Sequence, residues 1–160
     1  MSIREVKTFF AAHGMEDRVL EFETSSATVE LAAHTVGVVP ACIAKTLSFL
    51  TAQETLLVVA AGDAKIDNHK FKETFGCKAK MLPPEEVLEQ VGHAVGGVCP
   101  FAVKAGVKTC LDVSLQRFAT VFSACGSSNS AIELSCEELY GLSGALAWVD
   151  VCKGWQGSEQ

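Results

Sequence analysis

The chain has 160 residues, of which 49% are hydrophobic and 20% charged, which fits one folded domain. Its net charge of −6 argues against broad binding to nucleic acids, and no apolar run approaches the roughly 20 residues that span a bilayer. Residues 1–12 carry several charges and no long apolar stretch, unlike a secretory signal. We therefore expect a cytoplasmic protein.

The first half of the chain predicts helices and strands in alternation. An apolar stripe that follows Ser2 indicates an amphipathic helix, which Ser2 can cap and His13-Gly14 can end. An unbroken apolar run at 55–61 is typical of a central strand covered on both faces. The further elements are a short strand at 19–23, a helix at 28–36 that ends at Gly37, and a strand at 42–50 with a turn at 53–54.

The second half contains clear helix boundaries. Asp67 is a predicted N-cap for a helix that ends at Gly76, and Pro83-Pro84 begin a helix that Gly92 stops. Ser135 caps a last helix, and residues 154–160 read as a frayed tail. The predicted strands lie at 77–81, 107–113, 119–125, 131–135 and 145–151.

About seven strands and five helices predict an α/β fold. Short connections join 42–50 to 55–61 and 107–113 to 119–125, which favours antiparallel neighbours. We therefore predict one domain over residues 1–153, with a mixed, largely antiparallel sheet flanked by helices. The irregular order of elements argues against a doubly wound parallel sheet.

The strand at 42–50 contains one unexpected residue. Alternation places Lys45 on the same face as Ile43, Leu47 and Phe49, which are large and apolar. A lysine in that register must either extend its ammonium group to solvent or meet an anionic group in a cleft.

Lysines are concentrated in the middle of the chain. Residues 45–110 sum to +1 and contain eight lysines, five of which lie at 65, 70, 72, 78 and 80. On charge alone the favoured interpretation is a solvated helix face. The alternative is a small basic rim beside a cleft, sufficient to hold the end of a nucleic acid.

Two loops could hold a ligand. Gly96-Gly97-Val98-Cys99-Pro100 and Gly126-Ser127-Ser128-Asn129-Ser130 could each be an ordinary turn, but free backbone N–H groups in glycine-rich loops can also bind oxygen atoms. Neither loop is a P-loop, and no G-x-S-x-G motif is present. Cys99 is interpreted as lining a pocket rather than as a nucleophile, because nothing in the sequence indicates a lowered thiol pKa.

Cysteines and histidines give no support for a metal site. The seven cysteines are an odd number without a C-x-x-C pair, which indicates free thiols in a reducing compartment. The four histidines show neither H-x-x-x-H nor H-E-x-x-H spacing, so no metal or other cofactor is expected.

Four motifs together resemble the YbaK/EbsC family, the free-standing relatives of the prolyl-tRNA synthetase editing domain. The motifs are Ile43-Ala44-Lys45-Thr46-Leu47, Ala61-Gly62-Asp63, Gly96-Gly97-Val98-Cys99-Pro100-Phe101 and Gly126-Ser127, in this order and at this spacing. The resemblance extends over roughly residues 1–153.

The resemblance implies metal-independent deacylation, in trans, of tRNA that carries a wrong small amino acid, chiefly tRNA for proline. It implies a catalytic Lys45 beside the 3′-terminal adenosine, with water or the ribose hydroxyl contributing to proton transfer. The residues that it places around the substrate are Thr46, Gly96, Gly97, Val98, Cys99, Pro100, Phe101, Gly126, Ser127, Ser128 and Asn129. The implied partner is the 3′ end of aminoacyl-tRNA, with a synthetase as a further candidate, and neither DNA nor a membrane.

Three other functions compatible with the residues are retained as alternatives. The first is a non-catalytic module that binds a tRNA acceptor end or a nucleotide, because no residue is an obvious strong general base. The second is a thiol-dependent hydrolase built on Cys99. The third is a structural or protein-interaction domain.

Overall fold

The computed structural model describes residues 2–52 and 54–155, which form a single α/β domain. The helices are α1 (Ser2–Ala11), α2 (Val29–Val36), α3 (Asn68–Phe75), α4 (Pro84–Val91) and α5 (Cys136–Ser143). The strands are β1 (Val19–Glu21), β2 (Ile43–Leu50), β3 (Thr55–Ala61), β4 (Lys65–Ile66), β5 (Lys108–Asp112), β6 (Thr120–Ser123), β7 (Ser130–Ser135), β8 (Trp148–Val149) and β9 (Cys152–Lys153). The Ser2 side chain, Gln53 of the predicted turn and tail residues 156–160 lie outside the described residues.

Seven of these strands form one mixed sheet in the order β1-β7-β6-β2-β3-β5-β8, and β4 pairs separately with β9. The pairs β1–β7, β6–β7 and β2–β3 are antiparallel. The pairs β2–β6, β3–β5 and β5–β8 are parallel. The predicted mixed, largely antiparallel sheet is confirmed, because the antiparallel ladders join more residues than the parallel ones, and β2–β3 is the longest of them.

One predicted pairing is wrong. The strands predicted at 107–113 and 119–125 are not neighbours, because β5 lies between β3 and β8 while β6 lies between β2 and β7. A 3-10 helix at Val113–Arg117 joins them, and the Asp112 side chain caps it by accepting a hydrogen bond from the backbone N–H of Ser114. This helix carries the chain past β3 and β2, so a short connection does not produce a hairpin here.

Local signals place most helix ends where the sequence predicts them. Thr28 caps α2 and Asp67 caps α3, each by accepting from the N–H three residues on. Ser135 and Glu138 form a complete capping box at the start of α5. The predicted strand at 77–81 is absent apart from a single bridge between Met81 and Phe49.

Helices cover the central strands from both sides. All seven residues of β3 are buried, as predicted for a central strand. Phe71 of α3 packs against Phe49, with ring centroids 4.9 Å apart, and Phe49 shares a face with its cross-strand partner Leu56. The neighbouring Leu57 points to the opposite face, where it clusters with Val87 and Val91 of α4. Within the described ranges, no helix is both long and apolar enough to cross a membrane.

Candidate functional site

A cavity of about 350 Å³ opens beside strand β2. One side of its wall is formed by α2 with the residues before it and by β2 from Ile43 to Ser48. The rest is formed by the start of α4 with the segment before it, by part of the loop at 95–98, by the end of β6 with Ala124, and by the start of β7. The lining is predominantly apolar. Lys45 is the one charged side chain among the described residues that line it.

The cavity exists because β2 lacks a neighbouring strand along part of one edge. Its pairing with β6 covers only Ile43 and Ala44. Further along the same edge, the carbonyl of Ser48 accepts a hydrogen bond from Leu82 at 3.0 Å, and the N–H of Leu50 donates to the carbonyl of Lys80 at 2.8 Å. Between these two attachments, residues 45–47 form an open strand edge on the cavity wall.

Lys45 is half-buried, and its hydrogen-bond partners among the residues that the structure describes are backbone carbonyls. Its Nζ donates to the carbonyl of Gly62 at 3.4 Å and to that of Ala64. The nearby carboxylate of Asp63 is held instead by the guanidinium of Arg117, through contacts of 3.1 and 2.5 Å. Among the described residues, no carboxylate forms an ion pair with Lys45. Burial lowers the pKa of the Lys45 ammonium group, and the nearby Cys152 and Asp63 partly oppose that shift.

Gly62 explains why its carbonyl can approach Lys45. A Cβ atom at this position would lie 2.1 Å from the carbonyl oxygen of Pro40 and 2.6 Å from Cγ1 of Val29. A side chain cannot be accommodated at such distances, so the turn after β3 requires glycine to pass under α2. The Ala61-Gly62-Asp63 motif therefore positions the lysine's acceptors.

The structure brings the two glycine-rich loops together. A Cβ atom on Gly97 would lie 2.6 Å from the backbone nitrogen of Ser127 and 2.7 Å from the carbonyl carbon of Gly126. A Cβ atom on Gly96, which has a φ of +96°, would contact the Ser128 side chain at 3.6 Å. The backbones of the two loops are thus in direct contact, and glycine is required at that contact.

Hydrogen bonds hold the second loop against the segment before α2. The Nδ2 group of Asn129 donates to the carbonyl of Phe22 at 2.7 Å, and the N–H of Ser26 donates to the carbonyl of Ser128 at 2.5 Å. The Ser127 hydroxyl donates to Oδ1 of Asn129 at 2.9 Å. These polar side chains therefore support the loop.

The predicted site residues divide into three layers. On the cavity wall are Lys45, Thr46, Gly96 and Val98. Outside the lining are Gly97, Gly126, Ser127, Ser128 and Asn129, which form or support the contact between the loops. Buried away from the wall are Cys99, Pro100 and Phe101.

The position of Cys99 differs from the expected pocket lining. Val98 reaches the cavity, whereas Cys99 is fully buried, with its Sγ 3.5 Å from Nε2 of His93. Burial raises the pKa of the Cys99 thiol to about 12, so the thiolate needed for nucleophilic attack is not formed near neutral pH. Phe101 likewise packs in the core, with its ring centroid 4.9 Å from that of Phe10. Neither side chain contacts the cavity, which argues against a thiol-dependent hydrolase.

Sequence reasoning missed several wall residues. The hydroxyl-bearing Ser26, Thr28 and Ser123 line the cavity. They come from segments far apart in the chain, and no local pattern marks them. Within the described ranges, no group of three His, Cys, Asp or Glu side chains could hold a metal ion.

Comparisons with known proteins agree with this arrangement. A model of the aminoacyl-tRNA editing domain matches residues 23–142. An uncharacterized protein of Bacillus subtilis, YwhH, is 57% identical over 157 residues, which are 98% of this chain and 100% of that protein. A proline–tRNA ligase of Halalkalibacterium halodurans is 31% identical over 104 residues, which are 64% of this chain and 18% of the ligase.

One solved structure extends the comparison to the fold. It is described as "a putative trans-editing enzyme for prolyl tRNA synthetase", and it superposes with a TM-score of 0.86 at 29% identity. The match covers 96% of this chain and 98% of that one. The chain belongs to the aminoacyl-tRNA editing domain family, which confirms the resemblance seen in its motifs and supports an editing role.

Proposed function

We propose that this protein hydrolyses the ester bond of mischarged aminoacyl-tRNA in trans. The observation that carries the proposal is Lys45, the one charged side chain that the described part of the chain contributes to the wall of a cavity within an editing-domain fold. Water attacks the ester carbonyl, the bond to the ribose oxygen breaks, and the products are the free amino acid and tRNA with its ribose hydroxyl restored. We expect this to occur in the cytoplasm, where tRNA is charged.

Lys45 is the proposed catalytic residue, acting through electrostatics. An ammonium group has three N–H donors, and the carbonyls of Gly62 and Ala64 accept from two of them. The third can interact with the 3′-terminal phosphate or with the oxyanion that develops during attack. Such an interaction is stronger in a partly buried site than in water.

The proton transfer is assigned to the substrate. Neither histidine nor a carboxylate occurs among the described residues of the cavity wall, so the wall supplies no strong general base. The free ribose hydroxyl beside the ester can orient or deprotonate the attacking water. Metal independence remains part of the proposal.

A small amino acid suits the wall. Ala27, Ala32, Ala44 and Gly96 leave room but offer no charge to bind a polar side chain. Because one methylene group changes specificity by only about 1–3 kcal/mol in an apolar pocket, we expect overlapping activity on alanine, serine and similar residues. The proline–tRNA ligase relative supports tRNA for proline as the carrier.

Two exposed lysines in the segment that leads to the cavity support binding of the tRNA acceptor end. Lys78 and Lys80 are exposed, and the Lys80 carbonyl is bonded to Leu50 at the end of β2. Met81, the next residue, is 55% exposed and lines the cavity. The basic rim is therefore assigned to Lys78 and Lys80, whereas Lys70 is paired with Asp150 at 3.1 Å.

The decisive experiment is a deacylation screen with purified protein. The substrates are tRNA for proline charged with alanine, serine, cysteine or threonine, with the correctly charged tRNA as control. We expect hydrolysis of at least one mischarged species and none of the control. Binding without turnover of any species would contradict the proposal and support the non-catalytic binding module instead.

A further inference from the structure

Within the described part of the chain, Thr46 has an unpartnered buried hydroxyl, and it is the neighbour of Lys45 in the chain. Thr46 lines the cavity, and its hydroxyl Oγ1 is buried with no hydrogen-bond partner among the described residues. Buried hydroxyls are normally hydrogen-bonded, because leaving one unpaired costs roughly 1–3 kcal/mol. Thr46 is next to Lys45 in the chain, so the two α-carbons are about 3.8 Å apart.

The backbone of Thr46 faces the same opening. The carbonyl of Ser48 and the N–H of Leu50 point away from β3, since they bond to residues 80–82. Backbone groups of residues two apart on a strand point to the same edge, so the N–H and C=O of Thr46 also point away from β3. Pairing with β6 has ended at Ala44, and Thr46 therefore presents these groups to the open strand edge.

One residue thus offers a donor, an acceptor and a hydroxyl to the cavity. An aminoacyl ester has a complementary polar set, namely an α-ammonium group that donates and an ester carbonyl that accepts. Recognition of main-chain groups by an open strand edge is a common mode of binding extended ligands.

We propose that Thr46 binds the α-ammonium group and the ester carbonyl of the aminoacyl group, through its own C=O and through its N–H and hydroxyl. This rests on the proposed function and assigns the position of the ester within the cavity. The ester carbon then lies beside Lys45, and the amino acid side chain lies along the apolar wall. Because Thr46 contacts groups common to all amino acids, it affects every accepted substrate by a similar factor.

The first test compares Thr46→Val with Thr46→Ser. Valine has the shape of threonine without the hydroxyl, so loss of an unpaired buried group leaves Tm unchanged or raises it. We expect Thr46→Val to lower kcat/KM about 10-fold for each accepted substrate, as for one lost hydrogen bond, while Thr46→Ser stays within about 3-fold of the wild type. Wild-type kcat/KM in Thr46→Val, or an activity loss accompanied by a lower Tm, would overturn the proposal.

The second test does not depend on turnover. The probe is 3′-alanylamino-3′-deoxyadenosine, in which an amide replaces the ester, titrated into ¹⁵N-labelled protein. We expect the Thr46 amide resonance to shift on binding, while that of Leu57, on the buried strand β3, does not. Binding without a shift at Thr46 would overturn the inference even if deacylation is observed. A shift at Thr46 in a protein with no deacylase activity would support the inference and contradict the proposed function.

Discussion

Two cations converge on the turn that follows β3, and their surroundings differ. Arg117 binds both carboxylate oxygens of Asp63, donates to the carbonyl of Ser114 at 3.0 Å, and lies over the ring of Trp155 at 5.0 Å. Lys45 contacts the same turn, and within residues 2–52 and 54–155 its ammonium group donates only to the carbonyls on either side of Asp63.

The difference separates a structural cation from one available to a ligand. The planar guanidinium of Arg117 donates to a carboxylate and to a backbone carbonyl and packs against an aromatic ring. By holding Asp63, Arg117 also prevents that carboxylate from neutralising Lys45. The half-buried ammonium of Lys45 therefore lines the cavity without a carboxylate partner among the described residues, which suits binding of a phosphate or an oxyanion.

The largest expected effect is the loss of the Lys45 charge. Lys45→Met keeps an apolar stem of similar length without the ammonium, and Lys45→Ala removes both. We expect each to lower kcat/KM for deacylation at least about 100-fold, equivalent to about 2.7 kcal/mol of transition-state stabilisation. Thermal unfolding of both variants should remain cooperative with a Tm near that of the wild type. A fully active Lys45→Met variant would remove Lys45 from the catalytic site.

Breaking the Arg117–Asp63 pair should change both stability and activity. We expect Arg117→Met to lower the free energy of unfolding by about 2–3 kcal/mol, the value of hydrogen bonds between charged groups, as measured by denaturant titration. It also frees Asp63 to pair with Lys45, so kcat/KM should fall about 10-fold, equivalent to about 1.4 kcal/mol.

The double variant Arg117→Met with Asp63→Asn isolates the second effect. Without a carboxylate to neutralise Lys45, this variant should recover most of the activity per folded molecule. Activity that stays low in the double variant would mean that Arg117 affects catalysis by another route.

Contact between the two loops gives the next prediction. A methyl group on Gly97 would meet backbone at 2.6 Å, so we expect Gly97→Ala to destabilise the fold by about 1–3 kcal/mol and to separate the loops, lowering kcat/KM. Gly141→Ala in α5 is the matched control, because a Cβ there contacts nothing within 4 Å. The control should gain about 0.5–1 kcal/mol in stability with unchanged activity. Equal Tm values for the two variants would contradict this account of the loops.

A smaller effect is expected far from the cavity. Ser135 accepts from the N–H of Glu138 at 3.1 Å and begins α5. Ser135→Ala should lower the free energy of unfolding by about 1 kcal/mol, as is typical for a lost N-cap, and leave kcat/KM unchanged. A drop in activity beyond that expected from the unfolded fraction would show that α5 is coupled to the site.

Low pH should remove part of the stability contributed by the N-terminus of α5. A hydrogen bond from Arg18, together with one from the backbone of Ser135, lowers the pKa of the Glu138 carboxyl to about 2. A carboxyl whose folded pKa is lowered stabilises the fold above its ordinary pKa of 4.5 and loses that contribution as the pH falls towards 2. Chemical denaturation should therefore show a smaller pH dependence between 4.5 and 2 in Glu138→Gln than in the wild type.

Local features of the fold could be predicted, and features that depend on neighbouring strands could not. The caps at Asp67 and Ser135 act on N–H groups three residues away, so the sequence contains the whole interaction. The buried strand β3 is marked by its own apolar run. The neighbours of β5 depend instead on which strand edges the rest of the sheet leaves open. The short 3-10 helix after Asp112 carries the chain across the sheet, so that β6 lies on the far side of β2.

The same division holds for the site. Alternation along β2 identified Lys45 as an unusual residue, and the glycine motifs identified two loops that the structure places in contact. The sequence could not show that Cys99 points into the core while Val98 faces the cavity, because loop side chains follow no period.

By itself, the sequence determined the family, the mixed α/β fold and the lysine strand, because each follows from motifs or periodicities within short segments. Only the tertiary structure decided that Asp63 forms an ion pair with Arg117 and that Thr46 lies on an open strand edge. A free edge and an unpaired charge are defined by the neighbours that a residue lacks, and those neighbours are set by packing between distant segments.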